Sequence, residues 1–173
     1  MSRNLIIEIS IPYDGWTRLL SEADGICRRA ALAAWQLAPT EESGAAEVSL
    51  MLTDDETIRG LNRTYRGKDQ ATNVLSFAAR EGDAPEVPGD EPELLGDIVI
   101  AYETVTEEAG KEGKAPADHL SHLVVHGMLH LLGFDHQTDR DARIMEPLEI
   151  KALEALGISN PYLSALENKE AAG

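Results

Sequence analysis

The stretch HLVVHGMLHLLGFDH (residues 122–136) predicts a buried helix that ends in a glycine turn. In that helix His126 and His130 lie on one face, about 6 Å apart along the axis. Gly133 can end the helix in a left-handed conformation and turn the chain back, so that His136 approaches the other two histidines. Three neutral imidazoles that converge in this way are typical of a catalytic zinc site with one coordination position left open.

Two further histidines, His119 and His122, fall in the same stripe of the predicted helix. His119 is seven residues from His126, about 10 Å along the axis, which is too far for it to share a metal with His130. His122 is nearer, and two interpretations of it stay open. It can orient a metal ligand or a phosphate as a catalytic residue, or it can be a buried histidine that hydrogen-bonds to the backbone.

The residue after the first ligand distinguishes two kinds of hydrolysis. Zinc lowers the pKa of a bound water towards neutrality, so the site indicates a hydrolase. Zinc peptidases of the H-E-x-x-H type carry a glutamate here, which moves the proton of that water to the leaving amine. This chain has Gly127 instead. The sequence therefore favours a phosphodiester over a peptide as the substrate.

A basic segment between residues 59 and 68 contains Arg59, Arg63, Arg66 and Lys68 and no acidic residue. It is either a solvated helix face or a surface that binds anions. Phosphodiester cleavage requires a cation where charge accumulates on the non-bridging oxygens, and the planar fork of arginine suits that task. We therefore predict Arg66 as a catalytic residue, and Arg63, Arg66 and Lys68 as substrate-binding residues.

The composition indicates one globular domain. The chain has 173 residues, of which 43% are hydrophobic, which is enough for a core. We predict a single domain over residues 1–160 and a frayed C-terminal tail over 161–173. The single cysteine, Cys27, lies in an Ala-rich helical segment and is expected to be a buried thiol. No signal peptide or membrane span is recognisable, so we expect a cytoplasmic protein.

The net charge of −16 argues against general affinity for nucleic acids, because non-specific binding depends on neutralising phosphates. No DNA partner is expected. The acidic residues are unevenly distributed and are dense in REGDAPEVPGDEPE (residues 80–93). This segment is predicted to be a loop, and its position before a strand suggests a flap.

Apolar periodicity predicts an α/β (α+β) fold with a small mixed sheet of about four strands packed by helices. Asp14 is the predicted cap of a long first helix, and Thr53 forms a predicted capping box with Glu56 at the start of a short one. The predicted strands are 4–11, 46–52, 72–79 and 95–102, and the predicted helices are 15–38, 53–65, 103–112, 116–132 and 139–156.

Four segments together resemble the YbeY family of bacterial metallo-endoribonucleases, or rRNA maturation factors. They are LNRTYRGKDQATNVLSF (61–77), LLGDIVI (94–100), HLVVHGMLHLLGFDH (122–136) and IMEPLE (144–149). The resemblance covers roughly residues 45–156. The chain has Ala71 and Ala78 where the family commonly has proline.

The resemblance implies a zinc-dependent endoribonuclease that acts on single-stranded RNA in 16S rRNA 3′-end maturation and ribosome quality control. The small ribosomal subunit and its proteins are the implied partners. It also implies metal ligation by His126, His130 and His136 and a functional role for Arg66. The implied fold is a compact α/β type that shares its ligand helix with zinc peptidases.

Alternatives to this interpretation stay open. The chain can be a non-catalytic ribosome-assembly factor whose metal stabilises the fold, docking through its acidic surface on basic ribosomal proteins. The nucleophile can be a metal-activated water or the 2′-hydroxyl of the RNA. Imidazole ligands also suit nickel, copper and iron.

Overall fold

A computed structural model describes residues 4–37, 45–79, 92–134 and 139–162 of the chain. The strands in it are β1 (Leu5–Ser10), β2 (Ala46–Thr53), β3 (Val74–Ala78) and β4 (Glu93–Ala101). The helices are α1 (Gly15–Leu19), α2 (Ala23–Leu37), α3 (Asp55–Arg66), α4 (Tyr102–Glu112), α5 (Pro116–Leu131) and α6 (Asp139–Ala155).

The strands form one mixed, four-stranded sheet in the order β1-β2-β4-β3. β1, β2 and β4 run parallel, and β3 is antiparallel to β4 at one edge. Parallel neighbours require crossover connections, which the helices between β1, β2 and β4 provide. The predicted α/β class with a small mixed sheet is confirmed.

The main core lies between the sheet and α2, α5 and α6. Helix α5 is its centre, since it contacts α2, α4, α6, β3 and β4. The fully buried side chains in this layer include Leu50, Ile98, Ile100, Leu120, Met128 and Leu153. Helix α3 packs on the opposite face over a smaller cluster around Ile58 and Val99. The histidine helix is therefore held by packing along most of its length.

Glycines allow α5 to lie close to the sheet. A Cβ added at Gly127 would lie 3.1 Å from two side-chain carbons of Ile98 and 3.2 Å from Ser76 Oγ. Gly96 in β4 has a φ of +140° and faces the backbone of Phe77 and Ala78. The approach at Gly127 brings the α5 backbone against β4 and β3, whereas the approach at Gly96 is between β4 and β3 within the sheet.

The prediction of one helix over 15–38 is wrong. The chain forms α1 and α2, separated by an extended Leu20 (φ −131°, ψ 98°). Trp16 is fully buried and its indole N–H donates to the carbonyl of Thr53 at 2.9 Å. Its burial and this bond hold α1 beside the end of β2, so tertiary contacts override the continuous helical pattern. Among the described residues, Asp14 makes no side-chain cap; it pairs with Arg18 instead.

The predicted cap of α3 is also wrong by one residue. Thr53 still belongs to β2, and the side chain of Asp54 accepts the cap hydrogen bond from Thr57 N at 2.9 Å. Asp54 is extended and comes after the last strand residue, so it has the geometry of an N-cap.

Cys27 is fully buried in α2, as predicted. The predicted flap over 80–93 lies outside the described residues except for its last two, and β4 begins at Glu93. Within the described ranges, no helix is long and apolar enough to cross a membrane.

Candidate metal centre and substrate cleft

Two of the predicted ligands meet at the C-terminal end of α5. His126 Nε2 and His130 Nε2 are 3.1 Å apart, with ring centroids 4.7 Å apart. In a tetrahedral zinc site with Zn–N bonds of about 2.0–2.1 Å, ligand nitrogens are about 3.3–3.4 Å apart. The two nitrogens therefore lie close to the separation that one zinc ion requires, and imidazole nitrogens are donors that suit this metal.

The helix ends at the glycine turn that the sequence predicts. Gly133 has a φ of +102°, and its N–H donates to the carbonyl of His130. Phe134 N donates to Leu129 O, which folds the chain back over the last turn. His136, the third predicted ligand, lies outside the described residues, so its ligation stays a prediction.

A carboxylate that the sequence interpretation missed lies behind the histidines. Glu149 of α6 is only 1% exposed. Its Oε1 accepts from His126 Nδ1 at 2.7 Å, and its Oε2 is 3.0 Å from His122 Nε2 and 2.5 Å from the hydroxyl of Tyr162. The available signal was an acidic residue on the buried stripe of α6, four residues after the fully buried Met145.

The hydrogen bonds determine the ionisation of this carboxylate. Burial alone would raise the pKa of Glu149, but hydrogen bonds from His122, His126 and Tyr162 outweigh it and hold the pKa well below its usual range. Burial and the bond to Glu149 raise the pKa of Tyr162. Glu149 is therefore an anion that accepts hydrogen bonds, and Tyr162 is a neutral hydroxyl that donates one.

The remaining histidines line a cleft of about 620 Å³ beside this centre. His119 is 5% exposed and its Nε2 lies 2.9 Å from Glu108 Oε1, which also accepts from Asn73 Nδ2 at 3.1 Å. The Nδ1 atoms of His119 and His122 are buried without a hydrogen-bond partner among the described residues. His122 thus bonds through Nε2 to a carboxylate, and its ring lines the cleft together with those of His119 and His126.

Arg66 is held at the sheet edge beside the histidine helix. It is the last residue of α3, which ends at the left-handed Gly67 (φ +71°). Its Nη2 donates to the carbonyl of Ser76 at 2.8 Å, and its guanidinium lies 5.2 Å from the ring centroid of Phe77. Because Ser76 packs against Gly127 of α5, Arg66 is anchored to the strand next to the histidines.

The other basic residues differ in their surroundings. Arg59 forms a 2.8 Å ion pair with Asp69, the residue directly after the acid-free segment. Arg63 lies in the last turn of α3, Lys68 follows its C-cap, and both are exposed. The structure therefore places Arg63, Arg66 and Lys68 at one end of α3, while Asp69 compensates the charge of Arg59.

Comparison with known proteins identifies the family. A family model described as endoribonuclease YbeY matches residues 23–157. A relative from Paramagnetospirillum magneticum, named endoribonuclease YbeY, is 51% identical over 164 residues, which cover 94% of this chain and 98% of that protein. The chain belongs to the YbeY endoribonuclease family. A YbeY relative from Azorhizobium caulinodans is 50% identical, covering 90% of this chain and 95% of that protein.

The YbeY match spans α2 to α6 and includes the histidine helix, Arg66 and Glu149, whereas Tyr162 lies beyond it. A solution structure of a protein from Thermotoga maritima has the same fold, with a TM-score of 0.52, 21% identity, and coverage of 87% of this chain and 91% of that one. The family resemblance drawn from the four sequence segments is confirmed.

Proposed function

We propose that this chain is a metal-dependent endoribonuclease that cleaves single-stranded RNA at a zinc centre formed by His126, His130 and His136. Membership of the YbeY family and the names of its relatives support endoribonuclease activity in rRNA processing. The observation that carries the assignment of the centre is the 3.1 Å approach of His126 Nε2 to His130 Nε2, beside the cleft that His126 lines. Zinc is the proposed metal because three imidazoles with an open position suit it.

Arg66 is the proposed phosphate-binding residue. A zinc ion bound by the three imidazoles would supply a Lewis acid and lower the pKa of a water molecule. The bond to Ser76 and the contact with Phe77 fix the guanidinium plane. A guanidinium with five N–H donors in a fixed orientation can bind phosphate oxygens as negative charge develops on them. Arg63 and Lys68, exposed at the same end of α3, would bind the flanking phosphates.

His122 is proposed to assist at the same phosphate. Its ring lines the cleft with that of His126, and its Nε2 is bonded to the buried Glu149. It therefore has a fixed orientation next to the metal ligands, which a side chain that contacts substrate requires.

The proposed substrate is the 3′ end of 16S rRNA on the small ribosomal subunit, in the cytoplasm. With a net charge of −16, the chain gains little affinity from phosphates in general. Docking on basic ribosomal proteins would supply the affinity that free RNA does not. The same charge favours a second candidate function, a non-catalytic assembly factor that the metal stabilises.

Two substitutions separate these functions. We expect His130→Ala to lose both metal and cleavage of a single-stranded RNA with the 16S 3′ end. Arg66→Ala should retain the metal but lose roughly 10²–10³-fold in cleavage rate, the magnitude for one transition-state donor. Metal content and cleavage rate are measured on the same preparations, after circular dichroism has shown that they fold.

Arg59→Ala is the matched control, because it removes an equal charge on α3 from an arginine that is paired with Asp69. It should cleave like the wild type. If His130→Ala loses its metal while both it and Arg66→Ala still cleave RNA, the metal is structural and the enzymatic proposal is wrong. The end groups of the products, cyclic phosphate or 5′-phosphate, identify the nucleophile.

A further inference from the structure

Three hydrogen-bond donors surround the carboxylate of Glu149, and filling the core would not by itself require them. A buried carboxylate must be compensated by hydrogen bonds or opposite charges, and here two imidazoles and a phenol converge on it at 2.5–3.0 Å. One of those imidazoles, His126, presents its other nitrogen to His130. The carboxylate therefore contacts Nδ1 of His126, the ring nitrogen that does not face the proposed metal.

We infer that Glu149 is a positioning residue that fixes the tautomer of His126 and thereby sets the metal affinity of the centre. An anionic carboxylate only accepts hydrogen bonds, so His126 must carry its proton on Nδ1. The lone pair of Nε2 then faces the metal position. A carboxylate behind a ligating imidazole also raises the basicity of that ligand. This inference rests on the proposed role of His126 as a ligand.

Tyr162 and His122 hold the carboxylate in place. Both donate to Oε2, which leaves Oε1 for His126 alone. Tyr162 follows α6 and lines the cleft, and its hydroxyl donates to Glu149, whose rotamer it fixes together with His122. A residue in the segment that the sequence analysis assigned to the tail therefore contributes to the position of a metal ligand.

Glu149→Gln tests the inference with almost no change of shape. If its NH₂ faces His126, the imidazole must accept at Nδ1 and carry its proton on Nε2, the atom that should bind metal. If the NH₂ faces His122 instead, that ring must carry its proton on Nδ1, which is buried without a partner among the described residues. His126 then donates to a neutral amide oxygen, which raises the basicity of its Nε2 less than a carboxylate does. Both arrangements are unfavourable. We expect zinc affinity to fall about 10–100-fold, the usual effect of removing such a partner.

Zinc affinity is measured by titrating the zinc-loaded protein with a competing chromophoric chelator. Glu146→Gln is the matched control, because Glu146 lies on the same helix and lines the cleft but is exposed. It removes the same charge and should bind zinc like the wild type. Tyr162→Phe keeps the carboxylate and removes one donor, so it should lower the affinity less than Glu149→Gln.

The second readout does not depend on activity or on a variant that folds. Long-range ¹H–¹⁵N spectra of the histidine rings in the metal-free wild type, in which no metal occupies Nε2, should show His126 protonated at Nδ1. A proton on Nε2 would overturn the inference even if Glu149→Gln fails to fold, and so would unchanged zinc affinity in a folded Glu149→Gln protein. A wild type that binds no metal would instead contradict the proposed function.

Discussion

At residue 127 both packing and chemistry explain the absence of a side chain. The sequence alone suggests a chemical reason: zinc peptidases need a glutamate at this position to transfer a proton, and cleavage of a phosphodiester does not. The structure adds that a Cβ would press on Ile98 and Ser76, which lie beneath the helix at 3.1–3.2 Å. A glutamate at this position would have to displace the side chains of Ile98 and Ser76. The glycine therefore serves the close contact between α5 and β3 that places Arg66 next to the histidines.

This contact predicts that Gly127→Ala destabilises the protein by about 1–3 kcal/mol, the usual cost of overpacking a core. Gly60→Ala is its matched control in α3, where no described atom lies within 4 Å of the added Cβ. It should raise the free energy of unfolding by roughly 0.5–1 kcal/mol because alanine is the better helix former. Urea unfolding of both variants measures the difference. Equal stabilisation by the two substitutions would refute the close contact.

At the scale of elements, the apolar periodicity predicted the helices and strands, including the starts of α5 and α6, but not the break between α1 and α2 or the first residue of α3. Leu19, Leu20 and Ile26 recur at helical spacing, yet burying Trp16 against β2 separates α1 from α2. Thr53 and Asp54 are both good caps by residue type. The length of β2, set by its pairing with β4 up to Thr53 and Ala101, selects Asp54. Such boundaries depend on contacts between segments far apart in the chain.

The cap of α3 gives a test that depends on pH. Asp54→Ala should lower stability by about 1 kcal/mol at neutral pH, whereas Asp54→Asn retains a cap and should cost little. Hydrogen bonds from the side chain and backbone of Thr57 lower the pKa of Asp54. The ionised cap therefore stabilises fully above the unfolded pKa of about 3.9, and its contribution is lost as the pH falls through the lower folded value.

Thermal unfolding at neutral and acidic pH checks this. The stability of the wild type relative to Asp54→Asn should decrease towards acidic pH, because asparagine does not titrate. A difference that stays constant with pH would show that the carboxylate does not cap the helix.

At the scale of the whole molecule, the site combines residues from both sides of the sheet edge. The histidines come from α5, Arg66 from the end of α3, and Glu149 from α6. Sequence spacing was enough to predict that His126 and His130 share a helix face, because four residues make about one turn. It could not predict Glu149, since the bond to His126 depends on how α6 packs across α5. Tyr162 could not be predicted either, because its hydrogen bond to Glu149 depends on how the segment after α6 packs.

We propose that one metal ion per chain at the histidine centre makes the protein an endoribonuclease. The most direct test removes metal with a chelator and then adds zinc stepwise, while cleavage of single-stranded RNA with the 16S 3′ end and thermal stability are followed together. We expect cleavage to rise in proportion to zinc up to about one equivalent, with a parallel rise in Tm because the metal binds only the folded state. Cleavage at the full rate by metal-free protein, or saturation with zinc without any gain in cleavage, would show that the metal is not required for cleavage.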